Sequence, residues 1–329
     1  TPTFDPNDFV NGISSSDYAL LRNDERAPLY HKAYDGVFPP GSTFKMVVGA
    51  AALQAGVISP NERVYCSGHY QFGNRRFHCW KRGGHGAVNL HTAIQGSCDV
   101  YFYEVAKRLG QERIAEEARA FGLGERYELG MTGGASGTVP DEAWKKERLN
   151  QPWYDGETLN YGIGQGFLTT SPLQLAVMTA RIALGTGEQL MPRLIGKGPS
   201  FGENKAQGIM PSPEILKRLQ DAMYAVTSEP GGTALRAGDI GFEGIRMAGK
   251  TGTAQVRIIS AKERLTGVIK NKDLPRKLRD HGLFVGFAPF DSPRYVVAVV
   301  AEHAENGSSS AYPVARDIMR EAFVRNSGR

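Results

Sequence analysis

The hydrophobic pattern changes period along the chain, and each change marks a boundary between elements. From Thr1 to Gly41 no period is sustained, and Pro2, Pro6, Asn7, Gly12 and the Pro39-Pro40-Gly41 cluster predict loop with short strands. A helix should follow, capped by Ser42 and apolar on nearly all sides through Phe44, Met46, Val47, Val48, Ala50, Ala51, Ala52 and Leu53 until Gly56, as in a core helix. Between Asn61 and Gly241 the period is mostly helical, as in Leu90 to Leu109, Gln111 to Phe121, Ser171 to Leu184 and Pro213 to Val226, with glycine-rich loops between. Arg246 to Val256, Gly282 to Ala288 and Arg294 to Glu302 read instead as antiparallel strands, the last two joined through Pro289-Phe290-Asp291-Ser292-Pro293. A helix from Tyr312 to Val324 should cover one face of that sheet. Ile258 to Asp280, rich in Lys and Arg with weak periodicity, is expected to be a long, mobile excursion between two strands.

These elements amount to an α+β fold in one domain spanning 1–329. A mainly antiparallel sheet covered by helices is built from roughly 1–60 and 240–329, and a second, all-helical lobe from roughly 60–240 is inserted in it. With 329 residues, 41% of them hydrophobic and 22% charged, the chain can bury a large core, so disorder is not its expected state. The formal charge of +5 suits an anionic polymer or membrane surface, but it is spread along the sequence without a basic stripe, which argues against nucleic acid. The longest apolar runs, Met46 to Leu53 and Tyr295 to Ala301, are too short to cross a bilayer, and no charged start with an apolar signal region precedes them.

Three short groups carry candidate chemistry. In Ser42-Thr43-Phe44-Lys45 a serine and a lysine three apart share one face of a helix start, where free N–H groups and the positive dipole end lie. Serine is a poor nucleophile until a base takes its proton, and Lys45 among apolar neighbours has its ammonium form disfavoured, so it can serve. In Lys250-Thr251-Gly252-Thr253, preceded by Gly249, glycine on an edge strand permits close backbone approach, while the lysine and hydroxyls can hold a carboxylate. In Ser97-Cys98-Asp99 the serine can relay a proton between the two lysines. Taken singly, each has an ordinary reading: a capping serine with a surface lysine, a basic strand end, a helix cap.

Together, in this order, the groups resemble the S-x-x-K, S-x-N and K-T-G signature of penicillin-binding proteins and serine β-lactamases. Pro39-Pro40-Gly41 before Ser42, Gly84-His85-Gly86, Pro152-Trp153-Tyr154-Asp155-Gly156, Gly162-Ile163-Gly164-Gln165-Gly166 and Lys250 to Gln255 extend the likeness over nearly the whole chain, toward the penicillin-binding protein 2 family of class B transpeptidases of rod-shaped cell elongation. Asp99 stands where the broad family usually has asparagine, and members of this group often carry aspartate there. The resemblance implies a DD-peptidase/β-lactamase-like fold with the active site between sheet and helical lobe. It also implies peptidoglycan D,D-transpeptidase chemistry, with no cofactor for the reaction and β-lactams as inhibitors. Ser42 would attack the carbonyl between two terminal D-alanines, the N–H groups of Ser42 and Thr253 would form the oxyanion hole, and Lys250, Thr251, Gly252 and Thr253 would bind the substrate's carboxyl end. Whether Lys45 alone takes the serine proton, or shares the task with Ser97 and Lys250, stays open. So do two rivals, a D,D-carboxypeptidase or β-lactamase that uses water, and a non-catalytic β-lactam sensor domain.

Relatives of this kind carry an inner-membrane anchor and a pedestal ahead of the catalytic domain. Neither is in this chain, which reads as the truncated part at the periplasmic face of the bacterial inner membrane, with strands that usually open the family's sheet falling ahead of Thr1. Partners implied by the resemblance are peptidoglycan stem peptides, an elongation-machinery glycosyltransferase and a periplasmic scaffold.

The three cysteines, Cys66, Cys79 and Cys98, all lie in one stretch with His85, a Cys3His set that suits tetrahedral structural zinc. A metal there would pin Ser97 and Asp99 to the loop that carries the other ligands. The alternatives are a Cys66 to Cys79 disulfide with Cys98 as a buried thiol, or three free thiols, and His69 and His78 can substitute for His85.

Overall fold

The computed structural model describes residues 4–194 and 207–326, other than 236, 243, 258, 261, 262, 264 and 265. The first stretch holds a 3-10 turn at Pro6–Phe9 and helix α1 (Ser15–Asn23) rather than the expected short strands. Ser14 explains the difference: its hydroxyl accepts from the Asp17 N–H at 3.0 Å and caps the helix.

A second 3-10 turn, Gly41–Phe44, runs directly into α2 (Lys45–Gln54), which is buried on all sides from Lys45 to Ala52, as its apolar pattern requires. Ser42 does not cap it. The turn begins one residue earlier, at Gly41 with φ +53°, so Ser42 lies inside the turn and Phe44 immediately precedes α2. The hydroxyl that capping would have occupied makes no hydrogen bond among the described residues.

The segment Leu90 to Leu109 is two helices, α3 (Leu90–Gln95) and α4 (Asp99–Leu109), parted at Gly96-Ser97-Cys98, where Ser97 adopts φ +55°. Then come α5 (Gln111–Ala120), α6 (Glu142–Leu149), α7 (Asp155–Tyr161), α8 (Pro172–Leu184) and α9 (Pro213–Ser228). α2 packs among α4, α5 and α9. The lobe read as all-helical also holds four short strands: β1 (Val64–Cys66) pairs with β4 (Gly86–Val88), and β2 (His69–Phe72) with β3 (Arg75–His78), both antiparallel. Three or four residues are too few to show a two-residue period.

The main described sheet is antiparallel in the order β5 (Ala248–Ala254), β6 (His281–Ala288), β7 (Tyr295–Ala301), with Lys250 opposite Val285 and Phe284 opposite Val299. β6 is buried along nearly all its length, α9 lies against the edge strand β5, and α10 (Tyr312–Asn326) packs on β6 and β7. The excursion expected from Ile258 to Asp280 contains 3-10 turns at Asn271–Asp273 and Arg276–Leu278; residues 258, 261, 262, 264 and 265 lie outside the described residues.

Candidate active site

The three chemical groups converge where the start of α2, the α3–α4 break and the edge strand β5 meet. Lys45 and Lys250 are both fully buried, and both donate to Ser97 Oγ, at 3.3 Å and 2.9 Å. Lys45 Nζ also donates to Asp99 Oδ1 at 2.7 Å and to Ser97 O at 3.0 Å, whereas the other contact of Lys250 Nζ is Thr251 O at 2.9 Å. Burial and then the positive charge of Lys45 push the Lys250 ammonium well below the usual lysine range, with Asp99 pulling it partly back. The Ser97 hydroxyl thus sits between two amines.

Backbone contact sets the distance from Ser42 to β5. A Cβ on Gly41 would come within 2.5 Å of Thr253 O, and one on Gly252 would meet Pro40 O at 3.1 Å and the Thr43 methyl at 3.0 Å. Gly41 N–H donates to Gly164 O at 2.9 Å, and Gln165 Nε2 donates to Thr253 O at 3.1 Å, so the Gly162 to Gly166 loop braces both sides. That loop follows α7, whose Glu157 holds the buried Lys145 of α6 through both carboxylate oxygens at 2.6 Å, with the Tyr154 ring 4.3 Å from the ammonium.

The metal candidates also come together. One ligand atom from each of Cys66, Cys79, His85 and Cys98 lies within 4.8 Å of all the others, and the three cysteines are free and buried. His85 Nε2 lies 3.1 Å from Gly96 O while Nδ1 faces Cys66 Sγ at 3.7 Å and Cys79 Sγ at 3.5 Å, so a proton held on Nε2 leaves Nδ1 with a lone pair toward the sulfurs. A hydrogen bond from Cys98 draws Cys79 toward thiolate, and the same bond holds the Cys98 thiol up. His69 and His78 instead face each other across the β2–β3 pair, outside this group.

Comparison with known sequences places this arrangement. The penicillin binding protein transpeptidase domain matches residues 1–320. The chain belongs to the penicillin-binding protein transpeptidase family. It is 36% identical to the peptidoglycan D,D-transpeptidase MrdA of Haemophilus influenzae, covering 97% of this chain and 49% of that protein. It is 34% identical to MrdA of Escherichia coli, over 98% and 50% respectively. The chain therefore spans about half the length of the curated relatives it matches. Among solved structures it resembles Pseudomonas aeruginosa PBP2 in complex with WCK 5153, with a TM-score of 0.86 and 38% identity over 98% of this chain and 70% of that one. It also resembles Helicobacter pylori PBP2 in complex with MreC, with a TM-score of 0.82 and 32% identity over 98% and 56%. No helix among the described residues is long and apolar enough to cross a membrane.

Within this transpeptidase domain two residues escaped the sequence reading. Thr233 shares a 2.6 Å hydrogen bond with Thr251 through their hydroxyls, and in the sequence it sits in a glycine-rich turn with no period to mark it. Trp80 touches the Ser97 segment at three points, although it lies in a loop beside the cysteine cluster.

Proposed function

We propose that the chain is the catalytic part of a peptidoglycan D,D-transpeptidase, with Ser42 as nucleophile. The observation that carries this reading is Ser97 Oγ within hydrogen-bond reach of both buried lysines, one of which, Lys45, directly follows the turn that bears Ser42. Ser42 Oγ attacks the carbonyl between the terminal D-alanines of a stem peptide, and its proton passes to an amine of the Lys45, Ser97, Lys250 chain. The N–H groups of Ser42 and Thr253 meet the developing oxyanion, and Lys250, Thr251, Gly252 and Thr253 hold the terminal carboxylate, the role a β-lactam carboxylate usurps. The protonated leaving D-alanine departs, and an amine of a neighbouring stem attacks the ester and returns the proton to Ser42. Mass spectrometry after incubation with a penicillin tests the first half: a lasting adduct on the wild type and none on Ser42→Ala is expected, and labelling of Ser42→Ala would remove the assignment. Crosslinked stem dimers, rather than trimmed stems or labelling alone, separate a transpeptidase from a carboxypeptidase, a β-lactamase or a sensor.

The donor set Cys66, Cys79, His85 and Cys98 fits a structural zinc ion, supported by the mutual closeness of the ligand atoms and by the contact of His85 Nε2 with Gly96 O, which leaves Nδ1 to face the sulfurs. A bound ion would supply cohesion to the segment carrying Ser97 and Asp99. One equivalent of zinc in protein purified without added metal, lost in Cys98→Ser, is expected; metal-free wild type would sink the assignment. We place the domain at the periplasmic face of the inner membrane, as two lobes about one cleft. A scaffold of the kind that the Helicobacter relative binds and a glycosyltransferase of the elongation machinery are its proposed partners.

A further inference from the structure

Ser97 holds a backbone conformation that a residue with a Cβ rarely adopts, φ +55°, and such a residue persists only where its surroundings fix it. Its carbonyl is gripped from two sides, by Lys45 Nζ at 3.0 Å and by Trp80 Nε1 at 3.0 Å. The same indole N–H lies 3.1 Å from Gly96 O, and the Trp80 main-chain N–H donates to Asp99 Oδ2 at 2.9 Å. One residue from outside every motif therefore touches three of the four residues from Gly96 to Asp99. Trp80 is also 59% exposed, so burial of its ring is not what holds it there; the polar edge of the indole is the part engaged, with the ring edge-on to His85 at 5.5 Å.

Each of these contacts bears on the direction of the Ser97 hydroxyl. Turning the 96–97 and 97–98 peptide planes swings Cα–Cβ of Ser97, and with it the Oγ that meets Lys45 and Lys250. The carbonyls of Gly96 and Ser97 lie in those same two planes. A donor fixed on both carbonyls removes that freedom, and the main-chain bond to Asp99 keeps the carboxylate aimed at Lys45.

We propose that Trp80 is a positioning residue for acyl transfer, its two N–H donors holding the Ser97 hydroxyl between Lys45 and Lys250. This rests on the reading of Ser42 as nucleophile. A mere structural peg would give a different result: loss of Trp80 would lower the folded fraction and leave the chemistry of the folded molecules intact.

Stopped-flow acylation by a fluorescent penicillin separates the noncovalent binding constant from the acylation rate constant and gives the labelled fraction at completion. The variants are Trp80→Phe and, at the same codon, replacement by β-(3-benzothienyl)alanine, which keeps the indole shape and exchanges N–H for sulfur. The acylation rate constant is expected to fall about tenfold or more in both, as for loss of a charge-orienting hydrogen bond, with binding changed by less than about twofold and labelling still complete. A wild-type rate constant in the benzothienyl variant overturns the proposal, as does a loss that appears wholly in the labelled fraction. Should Trp80→Phe fail to fold, the shape-preserving variant still decides. Failure of the wild type to acylate on Ser42 strikes the underlying reading instead, whereas a normal wild type with normal variants strikes only Trp80.

Discussion

Lys45 and Lys250 are the same side chain, equally withdrawn from water and both in reach of Ser97 Oγ, yet they are stabilised in different ways. Lys45 meets a carboxylate at 2.7 Å; among the described residues Lys250 donates only to neutral oxygens, Ser97 Oγ and Thr251 O. A buried ammonium needs a counter-charge or it yields its proton, which is why Lys250 is pushed down from the lysine range. One lysine has a carboxylate beside it, and the other is held in a niche that favours the free amine. Asp99, standing where the broad family usually has asparagine, creates the asymmetry.

Exchanging each lysine for an isosteric apolar residue should break the comparison most sharply. Lys45→Met and Lys250→Met are each expected to slow penicillin acylation by roughly a hundredfold to ten-thousandfold, the span associated with a lost proton-transfer group. Their stabilities should diverge. Lys45→Met leaves the buried Asp99 carboxyl group with the Trp80 N–H as its remaining hydrogen-bond partner among the described residues, a loss of about 3 kcal/mol in urea unfolding, whereas Lys250→Met breaks no ion pair and should be neutral or slightly stabilising. Equal losses in the two variants would show the niches to be alike.

Asp99→Asn sharpens the same point by placing Lys45 in the situation of Lys250. The amide oxygen can still accept from Trp80, but the amide NH2 then faces Lys45, so the expected loss of about 1–3 kcal/mol, read from denaturant midpoints at neutral pH, reports the charge together with the acceptor that Lys45 loses. An unchanged midpoint would mean that the Asp99 contact does nothing to hold Lys45 in place.

The smallest effect lies in pH. Because the folded value of Lys250 is depressed below the ordinary 10.5, the unfolded chain binds the extra proton between the two values, and this group's contribution to stability is lost as pH falls. Lys45 and Asp99 are the charged groups acting on it. Any advantage of Lys250→Met over the wild type in thermal melts should therefore be greatest at low pH and shrink as pH rises toward about 10.5. A gap that widens with pH contradicts the assignment.

The parts legible in the sequence were those where chemistry dictates residue type and spacing. The candidates Ser42, Lys45 and Lys250 could be singled out because the proposed chemistry needs an amine one turn from the hydroxyl and another on a strand that glycine keeps thin. The three strands and the long helices followed from period. What escaped depends on contacts distant in sequence. Apolar residues continue on both sides of Gly96 to Cys98, so nothing local announced the break at Ser97; Lys45 and Trp80 impose it from elsewhere in the fold. The Ser14 to Asp17 cap was present to be read, but the neighbouring prolines and glycines outweighed it. Thr233 gains its meaning only when α9 brings its turn beside Thr251.

The tight approach of Gly41 to Thr253 O and of Gly252 to Pro40 O, where the turn bearing Ser42 meets the edge strand, has an evolutionary corollary. A side chain at Gly41 would press into the Thr253 main chain and push the Ser42 turn from the edge strand, which on the proposed chemistry would harm the natural reaction as much as drug capture. On the proposed chemistry, substitutions that lower β-lactam susceptibility without loss of crosslinking are expected away from this contact.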